Sequence, residues 1–204
     1  MKNPDDKKVI ALFDFDGTIT SKDSLGAFVV YNFGAVKCAL VAVLYAPVHL
    51  LYRLNVISST SAKNFLFPFF LKNITVANFE KMCADFCKIK LPGMIYQKAV
   101  EEIKWHLQQN HEVIIISASP ADWIKPWAET IGVKHYISSQ LEVANNKLTG
   151  KLDGENCNHE QKVVRIKKEI PNINEYEIYA YGNSKGDRFM LDLADHSFYK
   201  KFQS

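Results

Sequence analysis

The sequence predicts an α/β fold, a parallel sheet flanked by helices, with an all-helical subdomain inserted behind the first strand. Three observations predict it. Val9-Ile10-Ala11-Leu12-Phe13 is an apolar run too short for a helix and is closed by Asp14-Phe15-Asp16-Gly17, the pattern of a strand buried on both faces. Comparable runs recur at Val113–Ile116 and Glu177–Tyr181, separated by stretches with helical spacing, which is the alternation that builds a parallel sheet. Residues 21–90, by contrast, read as consecutive helices.

Composition narrows the function classes. The 204 residues are 48% hydrophobic and 23% charged, ordinary for a globular protein with a substantial core. A net charge of +3, without a basic stripe interleaved with aromatics, argues against nucleic acid as a partner. The four cysteines (Cys38, Cys83, Cys87, Cys157) show no zinc-type pairing and read as buried thiols of a reducing compartment. Met1 to Lys8 is polar with no signal-peptide apolar region behind it, so a cytoplasmic location is expected. The six histidines show no metal spacing. His106 and His111, five apart, are not expected to share a helix face, and His159 is placed near the site only through its neighbour Lys162.

In chain order, the first strand ends in two carboxylates one residue apart. Strand alternation aims Asp14 and Asp16 to one side and Phe13 and Phe15 to the other. Such a pair repels and favours a shared proton or a bound cation; its plain alternative is a strand end with an Asp-Gly turn. Ser21-Lys22-Asp23-Ser24 then offers a helix N-cap. Leu25 to Ile57 is heavily apolar, and two readings stay open: a pair of buried helices, or an apolar surface that touches lipid or a greasy substrate. The longest uncharged piece, Cys38 to Tyr52, falls short of the roughly 20 residues a membrane span needs. Ser58–Lys72 and Thr75–Lys88 follow as helices.

After the break at Leu91-Pro92-Gly93, Met94–Gln109 has helical spacing that Asn110 can stop. Val113–Ser117 is the second strand, and Ser119 with Pro120 predicts an N-cap and first helical position. Lys134–Ile137 reads as a third strand, and Leu141–Ala144 with Lys147–Gly150 as a hairpin turning at Asn145-Asn146. A helix over Asn158–Ile170, a strand over Glu177–Tyr181, a short helix over Arg188–Leu193 and an edge strand over His196–Tyr199 complete the chain. The expected organisation is a core of residues 1–20 and 91–204 with a helical cap over 21–90.

Four polar clusters stand at or behind strand ends, and in this order they resemble the four motifs of the haloacid dehalogenase-like hydrolase superfamily. Phe13-Asp14-Phe15-Asp16-Gly17-Thr18 is similar to its first motif, Ile116-Ser117-Ala118-Ser119 to its second, Lys162 to its third and Gly182-Asn183-Ser184-Lys185-Gly186-Asp187 to its fourth. The inserted helices resemble the cap of the branch containing phosphoserine phosphatases. Their apolarity, with Gly154-Glu155-Asn156-Cys157, looks closer to bacterial phosphatidylglycerophosphatase-like members.

The resemblance implies a Rossmann-like core and a magnesium-dependent phosphomonoesterase. Asp14 would be the nucleophile and Asp16 the acid and base. Ser117, the Ala118 amide and Lys162 would hold phosphate oxygens, and Asp14, the Asp16 carbonyl, Asn183 and Asp187 would be candidate metal ligands. Asn183 stands where many relatives have Asp. Asp16 argues against the dehalogenases and the cation pumps, and a non-catalytic member would be expected to lose Asp14 or Lys162. In the cap, Asp23 and Arg53 are the groups that would meet a small soluble substrate such as phosphoserine. The apolar helices favour a lipid or other amphiphilic phosphate and peripheral contact with the inner face of a membrane.

Overall fold

The computed structural model describes residues 7–203, so most of the polar N-terminal segment, residues 1–6, lies outside the described part. Six strands form one sheet in the order β4-β3-β2-β1-β5-β6. β1 (Lys8–Asp14) is central between β2 (Glu112–Pro120) and β5 (Tyr176–Gly182), and β3 (His135–Ala144) and β6 (His196–Tyr199) continue the parallel pairing outward. Only β4 (Lys147–Asp153) is antiparallel, joined to β3 through Asn145 and Asn146 at φ 50° and 59°, the pair of left-handed residues a tight hairpin requires. β3 runs unbroken through what the sequence divides into a strand and a hairpin arm, because its first half pairs with β2 and its second with β4.

The alternation in β1 sorts its residues between two cores. Ala11, Phe13 and Phe15 pack with Val113, Ile115, Trp123 and Tyr181 on one face, and Ile10 and Leu12 pack with Ile114, Ile116 and Ile178 on the other. The second face is covered by α8 (Glu160–Glu169) and α9 (Arg188–Asp192) through Ile166 and Met190. The first is covered by α6 (Gln97–Gln108) through Ala99 and Ile103, with Asn110 at φ 60° ending that helix as expected.

Five helices lie between β1 and α6: α1 (Ser24–Phe33), α2 (Ala35–Arg53), α3 (Ser59–Leu66), α4 (Pro68–Leu71) and α5 (Val76–Ile89). Asp23, Ser58 and Thr75 cap α1, α3 and α5 through their side-chain oxygens. The two chain connections to this group run side by side, with the Ser21 amide on the Met94 carbonyl (2.7 Å) and the Tyr96 amide on the Ile19 carbonyl (2.9 Å). α1 and α5 meet the core through Phe28, Phe79 and Phe86 around Trp123.

Two expectations are corrected. Ser119 and Pro120 do not start a helix: β2 runs through Pro120, the next residues form a 3-10 turn, and α7 (Lys125–Thr130) begins later with Pro126 in its first turn. The Ser119 hydroxyl is committed to Asp16 instead. α1 and α2 are not a buried pair, since Val41 is the only buried residue of α2 while Val36, Val43 and Leu40 are 78%, 74% and 65% exposed. His106 and His111 share no helix face, as expected, yet their rings meet, Nδ1 to Nδ1 at 2.8 Å, because the chain reverses after α6.

Candidate active site

Asp14 ends β1 with its carboxylate fully engaged: Lys162 Nζ donates to Oδ1 at 2.6 Å and Thr18 Oγ1 to Oδ2 at 2.9 Å. Lys162 reaches this position from the first turn of α8, buried to 1% exposure, and also donates to Asp187 Oδ1 (2.6 Å) and the Ile116 carbonyl (3.2 Å). One ammonium thus ties the ends of β1 and β2 to the loop behind β5, on either side of the central strand where a doubly wound sheet presents its ligands. Burial lifts the Asp14 carboxyl to about 7 against the pull of Lys162. Burial opposes the charge on Lys162 too, but Asp14 and Asp187 outweigh it and hold the ammonium charged.

Asp16 lies just beyond the strand, held by the Ser24 amide on Oδ1 and Ser119 Oγ on Oδ2, both at 2.6 Å. Burial, with Asp23 adding repulsion, raises its carboxyl above the ordinary value. Burial thus favours its protonated form, while two elements fix its orientation. Ser24 is itself fixed by Trp123, whose indole N–H donates to its hydroxyl at 3.0 Å.

The loop behind β5 is organised by Asp187. Its Oδ2 accepts from the Asn183 amide (3.1 Å), the Ser184 amide (2.9 Å) and Ser184 Oγ (2.7 Å), and its Oδ1 is taken by Lys162. Burial alone would raise this carboxyl, yet Lys162 and the Ser184 bonds outweigh it and hold it low. Asn183 Oδ1 accepts from the same Thr18 hydroxyl that serves Asp14, at 3.3 Å, so the two side-chain oxygens converge on one place. Gly17, at φ 79°, is needed there, since a Cβ would run into the Asn183 amide. Among the described residues no group of three or more His, Cys, Asp and Glu side chains is arranged to hold a metal alone. The oxygen brought beside Asp14 is the Asn183 carboxamide, and a carboxylate with a neutral oxygen suits a hard cation keeping several waters.

A cavity of about 320 Å³ opens over these groups, with Asp14, Asp16, Lys162, Asn183 and Asp187 in its floor. Asp23, Ala118 and Ser119 also reach its wall, and Tyr45, Tyr52 and Lys63 arrive from the inserted helices. Two predicted groups stand elsewhere. Ser117 is buried behind the wall, its hydroxyl accepting from the Ser119 amide at 3.0 Å. Arg53 is exposed at the end of α2 and does not line the cavity. Sequence reasoning missed Ser24, Ser119 and Lys63 as site residues. Ser119 sits inside the recognised second motif, whereas Lys63 on α3 has no local signal, being one lysine on a helix of ordinary polarity.

The family model for the haloacid dehalogenase-like hydrolases matches residues 11–192. Protein CicA of Caulobacter vibrioides is 29% identical over 196 residues, covering 96% of this chain and 87% of that protein. A probable phosphatase of Mycobacterium tuberculosis is 27% identical over 107 residues, 51% of this chain and 37% of that one. Among solved structures, a protein of unknown function from Bordetella pertussis superposes with a TM-score of 0.79 at 22% identity, covering 91% of this chain and 86% of that one. A substrate-bound phosphoserine phosphatase superposes at 0.68 and 18%, covering 96% and 87%; likenesses this distant speak for the fold. With the family model spanning nearly the whole sheet and all four polar clusters, the chain belongs to the haloacid dehalogenase-like hydrolases.

Proposed function

We propose that this hydrolase is a magnesium-dependent phosphomonoesterase that works through an aspartyl-phosphate on Asp14. The observation that carries the reading is the division of labour between two carboxyl groups of one strand end: Asp14 on the Lys162 ammonium, Asp16 raised by burial and held by Ser24 and Ser119. Asp14 attacks phosphorus, and the ester oxygen leaves with the proton of Asp16. Asp16, now a base, takes a proton from water as that water attacks the aspartyl-phosphate, freeing inorganic phosphate and restoring Asp14. Lys162 and the amides near Ala118 offset the charge of the phosphoryl oxygens.

Asp14, the Asp16 carbonyl and the Asn183 carboxamide are the oxygens that would hold magnesium. Asp187, with both oxygens occupied, would act by holding Lys162 and the Asn183–Ser184 backbone. When bound, the cation neutralises phosphate charge beside the nucleophile. Residues 21–90 act in this reading as a cap over the cavity.

For the substrate, the exposed apolar surface of α2 supports an amphiphilic, lipid-borne phosphate met at the cytoplasmic face of a membrane, because the same helix sends Tyr45 and Tyr52 into the cavity wall. α2 is also, among the described residues, the one helix long and apolar enough to cross a bilayer by length and composition. Asp23 on the wall favours a second reading, a small soluble phosphate carrying an ammonium group.

The test is hydrolysis of an aryl phosphate with and without magnesium. Asp14→Asn is expected to lower kcat at least about a thousandfold with the fold retained by circular dichroism. Substantial magnesium-dependent turnover by that variant would overturn the assignment. Comparing phosphatidylglycerophosphate with phosphoserine as substrates separates the two substrate readings.

A further inference from the structure

Asn156 is 3% exposed, and its hydrogen bonds join three parts of the chain. Its Oδ1 accepts from Ser139 Oγ of β3 at 2.8 Å and from Lys63 Nζ of α3 at 2.9 Å. Its Nδ2 donates to Ser59 Oγ (3.1 Å) and its main-chain amide to Thr60 Oγ1 (3.0 Å), both also on α3. A buried carboxamide with this many partners is costly to leave unpaired, so the contact between α3 and the loop before α8 is specified in one register. Lys63 goes further. Its ammonium also donates to the Ala118 carbonyl at 2.7 Å, beside the cavity floor. The Ala118–Ser119 peptide is thereby gripped from both ends, since the Ser119 amide is held by Ser117 Oγ and the Ser119 hydroxyl holds Asp16. Asn156 belongs to the Gly154–Cys157 stretch, whose chemistry the phosphoryl-transfer roles above leave unused.

We propose that Lys63 is a positioning residue: with Asn156 it forms the seam through which the inserted helices fix the Ala118–Ser119 peptide at the cavity wall, and with it the Ser119 hydroxyl on Asp16. The role in turnover rests on the phosphomonoesterase reading; the seam itself does not. A second geometric feature supports the assignment. α3 brings Ser59, Thr60 and Lys63 to Asn156 from successive turns of one face, and Asn64 adds a bond to the Leu152 amide (2.8 Å) of β4. Movement of α3 away from the sheet breaks these contacts together, and the Ala118 carbonyl loses its cap-borne donor in the same event. Burial, partly offset by Asp16 and Asp23, brings the Lys63 ammonium down to about 8, although the side chain stays only half-buried at the cavity wall.

The experiment uses the full chain carrying Lys63→Met, Lys63→Arg, Asn156→Ala and the Lys63→Met/Asn156→Ala double variant. Steady-state aryl phosphate hydrolysis, competitive inhibition by inorganic phosphate and amide hydrogen exchange are measured for each. Lys63→Met is expected to raise KM and the phosphate Ki together by about tenfold or more, the scale of a lost charge-assisted hydrogen bond. Lys63→Arg should restore part of it. The double variant should be no worse than the poorer single one, since both act through one seam. Exchange should rise in residues 59–66 and in the Ala118–Ser119 segment together in Lys63→Met. Because Asn156→Ala risks misfolding, Asn156→Ser serves as the milder variant.

A Ki for phosphate within about twofold of wild type in Lys63→Met, or additive effects in the double variant, overturns the proposal. If the wild-type chain hydrolyses no phosphomonoester, the functional reading falls, and exchange still decides the seam: faster exchange in α3 without any change at Ala118–Ser119 would refute it.

Discussion

Lys162 shows how much one side chain carries. It is 1% exposed and is flanked by two carboxylates at 2.6 Å each, so removing it leaves Asp14 and Asp187 facing one another in a buried space. Breaking such a group by deleting one partner costs about 3–5 kcal/mol. Lys162→Met is expected to lose that much in urea unfolding at pH 8. The sign of the pH dependence follows from Asp14. Its carboxyl already stands at about 7 with Lys162 present, and without the ammonium it rises further. The variant's deficit therefore shrinks at pH 5, where Asp14 takes up a proton, and grows as pH rises. At this scale the sequence was informative where chemistry is concentrated in a motif: Asp14, Asp16, Lys162, Asn183 and Asp187 all come to one cavity floor. It was silent on Lys63, because a lysine on α3 acquires its meaning from the Ala118 carbonyl far away in sequence.

At the scale of elements, α2 is the departure from ordinary burial. Its composition would suit a core helix, yet the fold leaves Val36, Leu40, Val43 and Leu44 in the open, while Tyr45 and Tyr52 turn toward the cavity. No Asp or Glu occurs from Ser24 to Phe79, and Lys37 and Arg53 stand near the helix ends, a charge pattern suited to an anionic surface. Replacing Leu40 and Val43 together by Asp is expected to abolish co-sedimentation with anionic phosphatidylglycerol vesicles. Stability should change by less than about 1 kcal/mol, because exposed side chains contribute little to the core. Co-sedimentation equal to wild type would remove the membrane reading. Apolar composition marked the stretch from Leu25 to Ile57 but could not say which side of its helices would be covered, since both a core and a surface accept the same apolar sequence.

Over the whole molecule, a part-buried polar chain runs along the sheet face that α6 covers. Tyr181 Oη donates to Glu102 at 2.7 Å, so His106 Nε2–H donates to that oxygen at 2.9 Å and His106 Nδ1 accepts from His111 at 2.8 Å. In this arrangement the neutral imidazole uses both ring nitrogens. Burial, reinforced by His111, brings His106 down to about 4, and burial lowers His111 as well. A group whose folded pKa is depressed contributes stability above its unfolded value and loses it as pH falls toward the folded one. The His106 contribution should therefore be lost between about pH 6.5 and 4, opposing the gain from the raised Asp14 carboxyl over the same window, and His106→Gln should remove that loss when variant and wild type are compared by thermal unfolding across it. An unchanged pH dependence in the variant would show that the network does not couple to folding. Phe13 and Phe202 stack on Tyr181 in the same layer, and Gln203 Nε2 donates to the Gly17 carbonyl at 2.7 Å, which ties the last described residues to the turn behind Asp14.

The sequence by itself determined the parallel sheet, the helices inserted behind the first strand, and the four clusters that supply carboxylate, hydroxyl, ammonium and carboxamide. Each of these is written in local periodicity or in a contiguous motif. Only the tertiary structure decided that Ser119 orients Asp16 instead of starting a helix, that α2 turns its apolar side outward, and that His106 meets His111. It alone joined Lys63 to Asn156. The reason is physical: a hydroxyl, an imidazole or an ammonium bonds whatever partner the packed chain places within 3 Å, and those partners lie on other elements.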